Sequence, residues 1–296
     1  MKKALTALAV LSLGITCACA PSSEVSPTET PTATSQFKNW PPLLNDFRFH
    51  WSAEPQIDLT TAPAMVVRAY LESYDTAWFT FSMDNAYPGF LDATPENQEP
   101  GANSPQQLIQ IRPLGVGITK TARDARPHFG YQIFHLLELD QIADGYRAIV
   151  CMGEFAHFME STAKPGKFVA IGVNDATAQP FRPTDSGVFT YRIEFKENGG
   201  RVGRNPSPPV TTPQSGPAPA PENDVFGSWF FTGASTSGWG PAIGPDAEQF
   251  PSPELQQRCE NAMPMNREQR IAMMTGFKDQ PPAHGEAIPG WPTDSK

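Results

Sequence analysis

Two stretches with a strict period of two limit this chain most. From Phe129 to Leu139, Tyr131, Ile133, His135, Leu137 and Leu139 alternate with Gln132, Phe134, Leu136 and Glu138. From Gly187 to Lys196, Phe189, Tyr191, Ile193 and Phe195 alternate with Thr190, Arg192, Glu194 and Lys196. That period is the signature of strands with two unlike faces. Asp144-Gly145 is a tight-turn signal, so residues 129–139 and 146–159 read as a β-hairpin of two long strands. Lys164-Pro-Gly-Lys167 turns the chain into a further strand at 168–173, and Val116 to Thr121 reads as a short one. Upstream, Phe47, Phe49 and Trp51 alternate with Arg48 and His50, again as a strand. Between lies one helix. Pro63 opens it, Thr61 is its expected cap, and Val66, Val67, Tyr70, Leu71, Tyr74, Ala77 and Trp78 recur at three-to-four spacing. No helical pattern separates the later strands, which excludes a doubly wound βαβ fold. The expected class is α+β: a curved antiparallel sheet packed on one main N-terminal helix, with Pro-rich flanking segments.

Proline marks the boundaries. Sixteen of the 32 prolines fall in residues 201–296. Residues 1–18 read as a signal peptide, 19–36 as a disordered tether, 37–203 as the α+β domain and 204–224 as a Pro-rich linker. Residues 225–296 read as a C-terminal extension partly docked on the domain. The apolar run Val225-Phe-Gly-Ser-Trp-Phe-Phe231 is the reason to expect docking, with an exposed partner-binding patch as the alternative. Ser252-Pro253 and Asn266 with Gln269 are start signals for two short helices.

Lys2 and Lys3 precede an uncharged, mostly apolar stretch from Ala4 to Ile15, the pattern of a secretory signal too short to span a bilayer. Ile15-Thr-Cys-Ala18 before Cys19 resembles a relaxed bacterial lipoprotein signal, which implies acylation of Cys19, with palmitate among the chains. Plain secretion after Ala18-Cys19-Ala20 is the alternative. The expected location is therefore the extracytoplasmic face of the cell membrane, held by lipid. Cleavage before Cys19 removes two lysines and no acid, so the formal charge falls from −9 to −11. Such a chain is repelled by anionic lipid and by nucleic acid, so its membrane contact is the anchor alone. Cys151 and Cys259 then remain in an oxidising compartment, where a disulfide is expected; two buried thiols are the alternative.

No motif identifies a reaction. His50, His128, His135, His157 and His284 do not pair at metal-ligand spacing, and there is no Cys-x-x-Cys, so neither a metal nor a cofactor is expected. There is no Gly-x-Ser-x-Gly and no catalytic carboxylate pairing. The polar residues placed to line a pocket under the helix are Tyr70, Tyr74, His135, Glu138 and His157.

The helix Val66-Val67-Arg68-Ala69-Tyr70-Leu71 followed by the strands from 129 to 196 resembles the nuclear transport factor 2-like cone-shaped fold, over about half the chain. That family includes ketosteroid isomerases and polyketide cyclases. The whole chain also resembles uncharacterised exported lipoproteins of actinobacteria, a likeness that implies no activity. The leading expectation is non-catalytic: binding of a small apolar or lipidic ligand, or of a partner protein, at the outer membrane face. The resemblance implies an alternative, an isomerase- or cyclase-like enzyme with a buried acid or base in the cone. A third is an accessory subunit of an envelope complex.

Overall fold

The structure is a computed structural model that describes residue 35 and residues 37–115, 117–197 and 208–293. The signal peptide and Cys19 lie outside the described residues, as do residues 198–207. The tether lies outside them except Ser35. Among the described residues no helix is long and apolar enough to cross a membrane.

In chain order the elements are β1 (Asp46–Ala53), α1 (Ala64–Phe79), α2 (Phe90–Ala93) and α3 (Gln106–Ile109), then β2 (His128–Ile142), β3 (Gly145–Gly153), β4 (His157–Glu160) and β5 (Phe168–Ala170). They continue with β6 (Val173–Asn174), β7 (Gln179–Pro180), β8 (Val188–Glu197), β9 (Trp229–Ser235), β10 (Gly238–Trp239), β11 (Glu248–Gln249), α4 (Pro253–Ala262) and α5 (Arg267–Met274). The class is α+β, and the main sheet is large, curled and almost wholly antiparallel. Its path is β5-β4-β2-β3-β8-β9, and β1 adds to β2 in parallel, with Asp46 opposite Phe129 and Ala53 opposite Leu136.

Hydrophobic patterning decides which face meets which layer. Phe47, Phe49, Trp51, Phe134, Leu136, Ile193 and Phe195 turn to α1. Ile133, Leu137, Ile149, Cys151 and Phe158 turn to the other face, where α4 and α5 bring Cys259, Met263 and Met274. The sheet thus has a helical layer on both faces. The alternation of β2 breaks at Leu137, where the register with β3 slips between Leu136 and Glu138. This β-bulge carries Leu139 onto the α1 face, so it does not share a face with Tyr131 and Ile133 as a continuous alternation requires.

Helix α1 is covered on both sides, so an amphipathic stripe understates it. Its outer side meets Tyr87, Phe90, Phe226 and Trp291, from connections that carry little regular structure. Arg68 and Glu72 on that side are buried, and Arg68 Nε and Nη1 have no hydrogen-bond partner among the described residues. Arg68 Nη2 donates to Gln214 O at 3.1 Å and the guanidinium lies 3.8 Å from the Trp291 ring centroid. Glu72 Oε2 accepts from Tyr87 Oη at 2.9 Å and from Trp291 Nε1 at 2.6 Å. Thr61 does not cap the helix through its side chain: the N-cap is Pro63, and the Thr61 hydroxyl donates to Asp58 at 2.9 Å.

The apolar run at 225–231 enters the sheet. Phe226 and Phe231 are fully buried in the α1 core, and Trp229 to Ser235 form the edge strand β9. Gln214, Ala218 and Ala220 of the Pro-rich segment are buried as well. Ser252 and Asn266 cap α4 and α5 as their sequence signals require, the second through a full capping box. Residues 117–121 are not a strand, because Leu114 and Gly117 take φ of 60° and 85° and bend the chain out of an extended path.

Candidate functional site

Two local irregularities build the site. The first is the end of α1. Ser82 N donates to Ala77 O at 3.1 Å and Phe81 N to Trp78 O at 3.3 Å, which is a Schellman closure. Its left-handed position normally holds glycine, yet here it holds Phe81 at φ 46°. A bulky side chain there costs about 1–2 kcal/mol of backbone strain. The ring is turned into a pocket, edge-on to Trp78 at 6.2 Å.

The second irregularity interrupts the 145–160 strand. β3 stops at Gly153 and β4 resumes at His157. Between them Ala156 O accepts from Tyr131 N at 3.1 Å, close enough that a Cβ on Gly130 would lie 2.2 Å from it. Gly130 therefore has to be glycine. Glu154, the first residue past the break, leaves the ladder and points its side chain into the same pocket.

The pocket encloses about 510 Å³, within the size range of small-molecule sites. Trp78, Phe79 and Phe81 form one wall; residues 117–120 with Asp124 and Arg126 form the rim; His128, Glu154, Met159 and Ile171 close it. Of the two cations on the rim, Lys120 lies on the pocket's own wall and Arg126 is bonded to the backbone of β4. Lys120 Nζ lies 5.0 Å from the Phe81 ring centroid, and Arg126 Nη1 donates to Glu160 O at 3.0 Å. The Glu154 carboxyl has no hydrogen-bond or ion-pair partner among the described residues. Burial pushes its pKa up to about 7.

Behind the pocket a hydrogen-bonded chain crosses from the sheet to α1. His128 Nδ1 and His157 Nε2 are 2.6 Å apart, His157 Nδ1 is 3.3 Å from the Gln132 amide, and that amide is 2.5 Å from Asp75 Oδ2. The Phe47 and Phe79 rings pack on this histidine pair at 4.4–4.8 Å. Burial pulls the His128 pKa down to about 4 and that of His157 well below the usual range, and it holds Asp75 well above the carboxylate range. Neutral rings carry one N–H each, and His128 also lies against the Phe79 backbone carbonyl, which favours a proton on that edge. Gln132 Nε2 donates to Asp75 Oδ2, its Oε1 faces His157 Nδ1, and a single proton is shared between His157 Nε2 and His128 Nδ1.

The expected pocket residues separate. His157 is in the buried chain. Tyr70 donates to Ile111 O at 2.7 Å and stacks on Phe231. Tyr70, Tyr74 and Tyr191 line a smaller recess of about 140 Å³. His135 and Glu138 are on the other face of the sheet: His135 Nδ1 is 2.9 Å from Ser52 Oγ, and Glu138 pairs with Arg258 of α4 at 2.5 Å. Period two puts residue 135 opposite residue 134, so His135 cannot share the α1 face with Phe134 and Leu136. Asp75, Gln132, His128 and Glu154 were not singled out in the sequence. The one local signal was Glu154, a charged residue directly after the uncharged apolar run from Ala148 to Gly153.

Cys151 and Cys259 form a disulfide across the sheet and α4. Compared with protein-family models, with curated proteins and with solved structures, the chain matches none.

Proposed function

We propose that the protein is a lipid-anchored, extracytoplasmic binder of a small organic molecule, held in the pocket between the end of α1 and the 117–126 segment. The observation that carries this reading is Phe81. A strained left-handed backbone is retained where glycine would close the helix without cost, and its ring forms a pocket wall. The signal-like N-terminus supports the location. A partner protein has less to hold at 225–231, because Phe226 and Phe231 are spent on the core.

Native mass spectrometry of the full chain purified from membranes tests it. A co-purifying small molecule, lost in Trp78→Ala, is the expected result. A chain that carries none and binds nothing from a panel of fatty acids, isoprenoids and aromatic compounds would overturn it.

A second reading, an acid/base enzyme, is favoured by one observation: the Glu154 carboxyl with a pKa near neutrality at the pocket floor. A base that removes a carbon-bound proton exchanges it with solvent. Deuterium entering the bound compound from heavy water, and none entering with Glu154→Gln, would establish the enzyme; an unchanged compound leaves the binder.

A further inference from the structure

The pocket is unequal in charge. Its rim carries Lys120, Asp124 and Arg126, but the Glu154 carboxyl at its floor has no hydrogen-bond or ion-pair partner among the described residues. The titratable groups nearest Glu154 are Asp75 from α1 and Tyr191 from β8, with His128 of β2 in the same lining; the cations of that lining, Lys120 and Arg126, lie at the Phe81 ring and at Glu160 O, and neither pairs with Glu154. His128 is held neutral by burial, and Asp75 and Tyr191 are acids. Three aromatic rings, Trp78, Phe79 and Phe81, stand beside that floor. Aromatic faces attract cations, and Lys120 already shows this at the Phe81 ring. A half-buried carboxylate without a counter-charge is poorly solvated, and a bound cation offsets that cost.

We infer that the pocket takes a protonated amine on an apolar body, with the ammonium against Glu154 and the apolar part against the Trp78–Phe81 wall. The inference rests on the binding role proposed above and names its ligand class. An anionic ligand is disfavoured because it would have to share a proton with Glu154. A wholly apolar ligand would leave the carboxyl unpaired.

The sign of the pH dependence follows. In the free protein Glu154 holds its proton up to about pH 7. An ammonium ligand displaces that proton, so its affinity rises as pH rises through this range. A carboxylate ligand behaves oppositely.

Three aromatic probes of similar size separate the cases on the full chain: 2-phenylethylamine, 2-phenylethanol and 3-phenylpropionate, measured by calorimetry at about pH 5.5 and about pH 8. The expected result is amine binding at least ~10-fold tighter than alcohol binding at the higher pH, a preference of about 1.4 kcal/mol. It should shrink at the lower pH and vanish in Glu154→Gln. The same variant melts no lower than the parent, because it removes only an unpaired group. If the alcohol or the acid binds as tightly as the amine, or the preference survives in Glu154→Gln, the amine assignment is wrong and the pocket stands. If none of the three binds and native mass spectrometry also finds no ligand, the binding role itself falls.

Discussion

A phenylalanine in the left-handed region costs about 1–2 kcal/mol relative to glycine, so Phe81→Gly separates the backbone from the ring. The backbone should relax, and the half-exposed ring gives up little buried area. Stability is expected to stay within about 1 kcal/mol of the parent in urea titration, while probe binding at the pocket weakens at least ~10-fold. A protein that unfolds on this change would make Phe81 a core residue. Glu154 allows a second test at this scale. Its ordinary pKa is 4.5 and its folded value is about 7, so the folded chain keeps a proton that the unfolded chain has released. That contribution to stability is complete below about pH 4.5 and is lost as pH rises to about 7, a change of about 3 kcal/mol at most. The buried neutral histidines act in the other direction: they lose stability as pH falls below their ordinary value of 6.5. The quantity to measure is therefore the stability of the parent minus that of Glu154→Gln, which should fall across this window and level off above it. A flat difference would mean that the carboxyl titrates as an exposed one. The sequence showed Glu154 as a charge in a strand. It could not show that the strand breaks there, because the break depends on Ala156 approaching Gly130, 26 residues upstream.

At the scale of elements, helix α1 and the pair α4–α5 are held by different means. Helix α1 is buried on both sides, with Arg68 and Glu72 tied to Trp291 near the C-terminus, and burial pushes the Glu72 pKa up to about 7. Helices α4 and α5 have few buried apolar residues: Cys259 in α4 and Met274 in α5, with Met263 between them. Arg270 pairs with Glu260, and Ser186 donates to the same carboxylate. The disulfide therefore bears more of their attachment. It joins residues 108 apart, a closure worth up to about 4.7 kcal/mol in the chain-entropy model. Replacing both Cys151 and Cys259 by Ala should speed proteolysis within 253–274 and leave amine binding at the other face within about twofold of the parent. Loss of binding together with the helices would show that the two faces of the sheet are coupled. The caps of α4 and α5 were legible because Ser252 and Asn266 act on amides three residues away. The all-round burial of α1 was not, since its outer cover comes from residues up to 219 positions away.

For the whole molecule, the body stands off the membrane only if Cys19 carries lipid. A single acyl chain holds weakly and two hold stably, so Cys19→Ala should move the protein from the detergent phase to the aqueous phase. Continued partition with membrane would put the anchor elsewhere. The period-two strands, the Asp144-Gly145 hairpin, the single long helix and the class that follows were determined by the sequence, because each depends on neighbours within a few residues. Pairing of the last two cysteines followed from their number and the expected compartment, again without coordinates. The site was decided by the tertiary structure. Asp75 meets Gln132 from 57 positions away, and His128 meets His157 from 29. The bulge at Leu137 decides which side chains share their face. One extra residue in a strand reverses the facing of everything beyond it, and only the packing of helices on both sides of the sheet determines where that residue is accommodated.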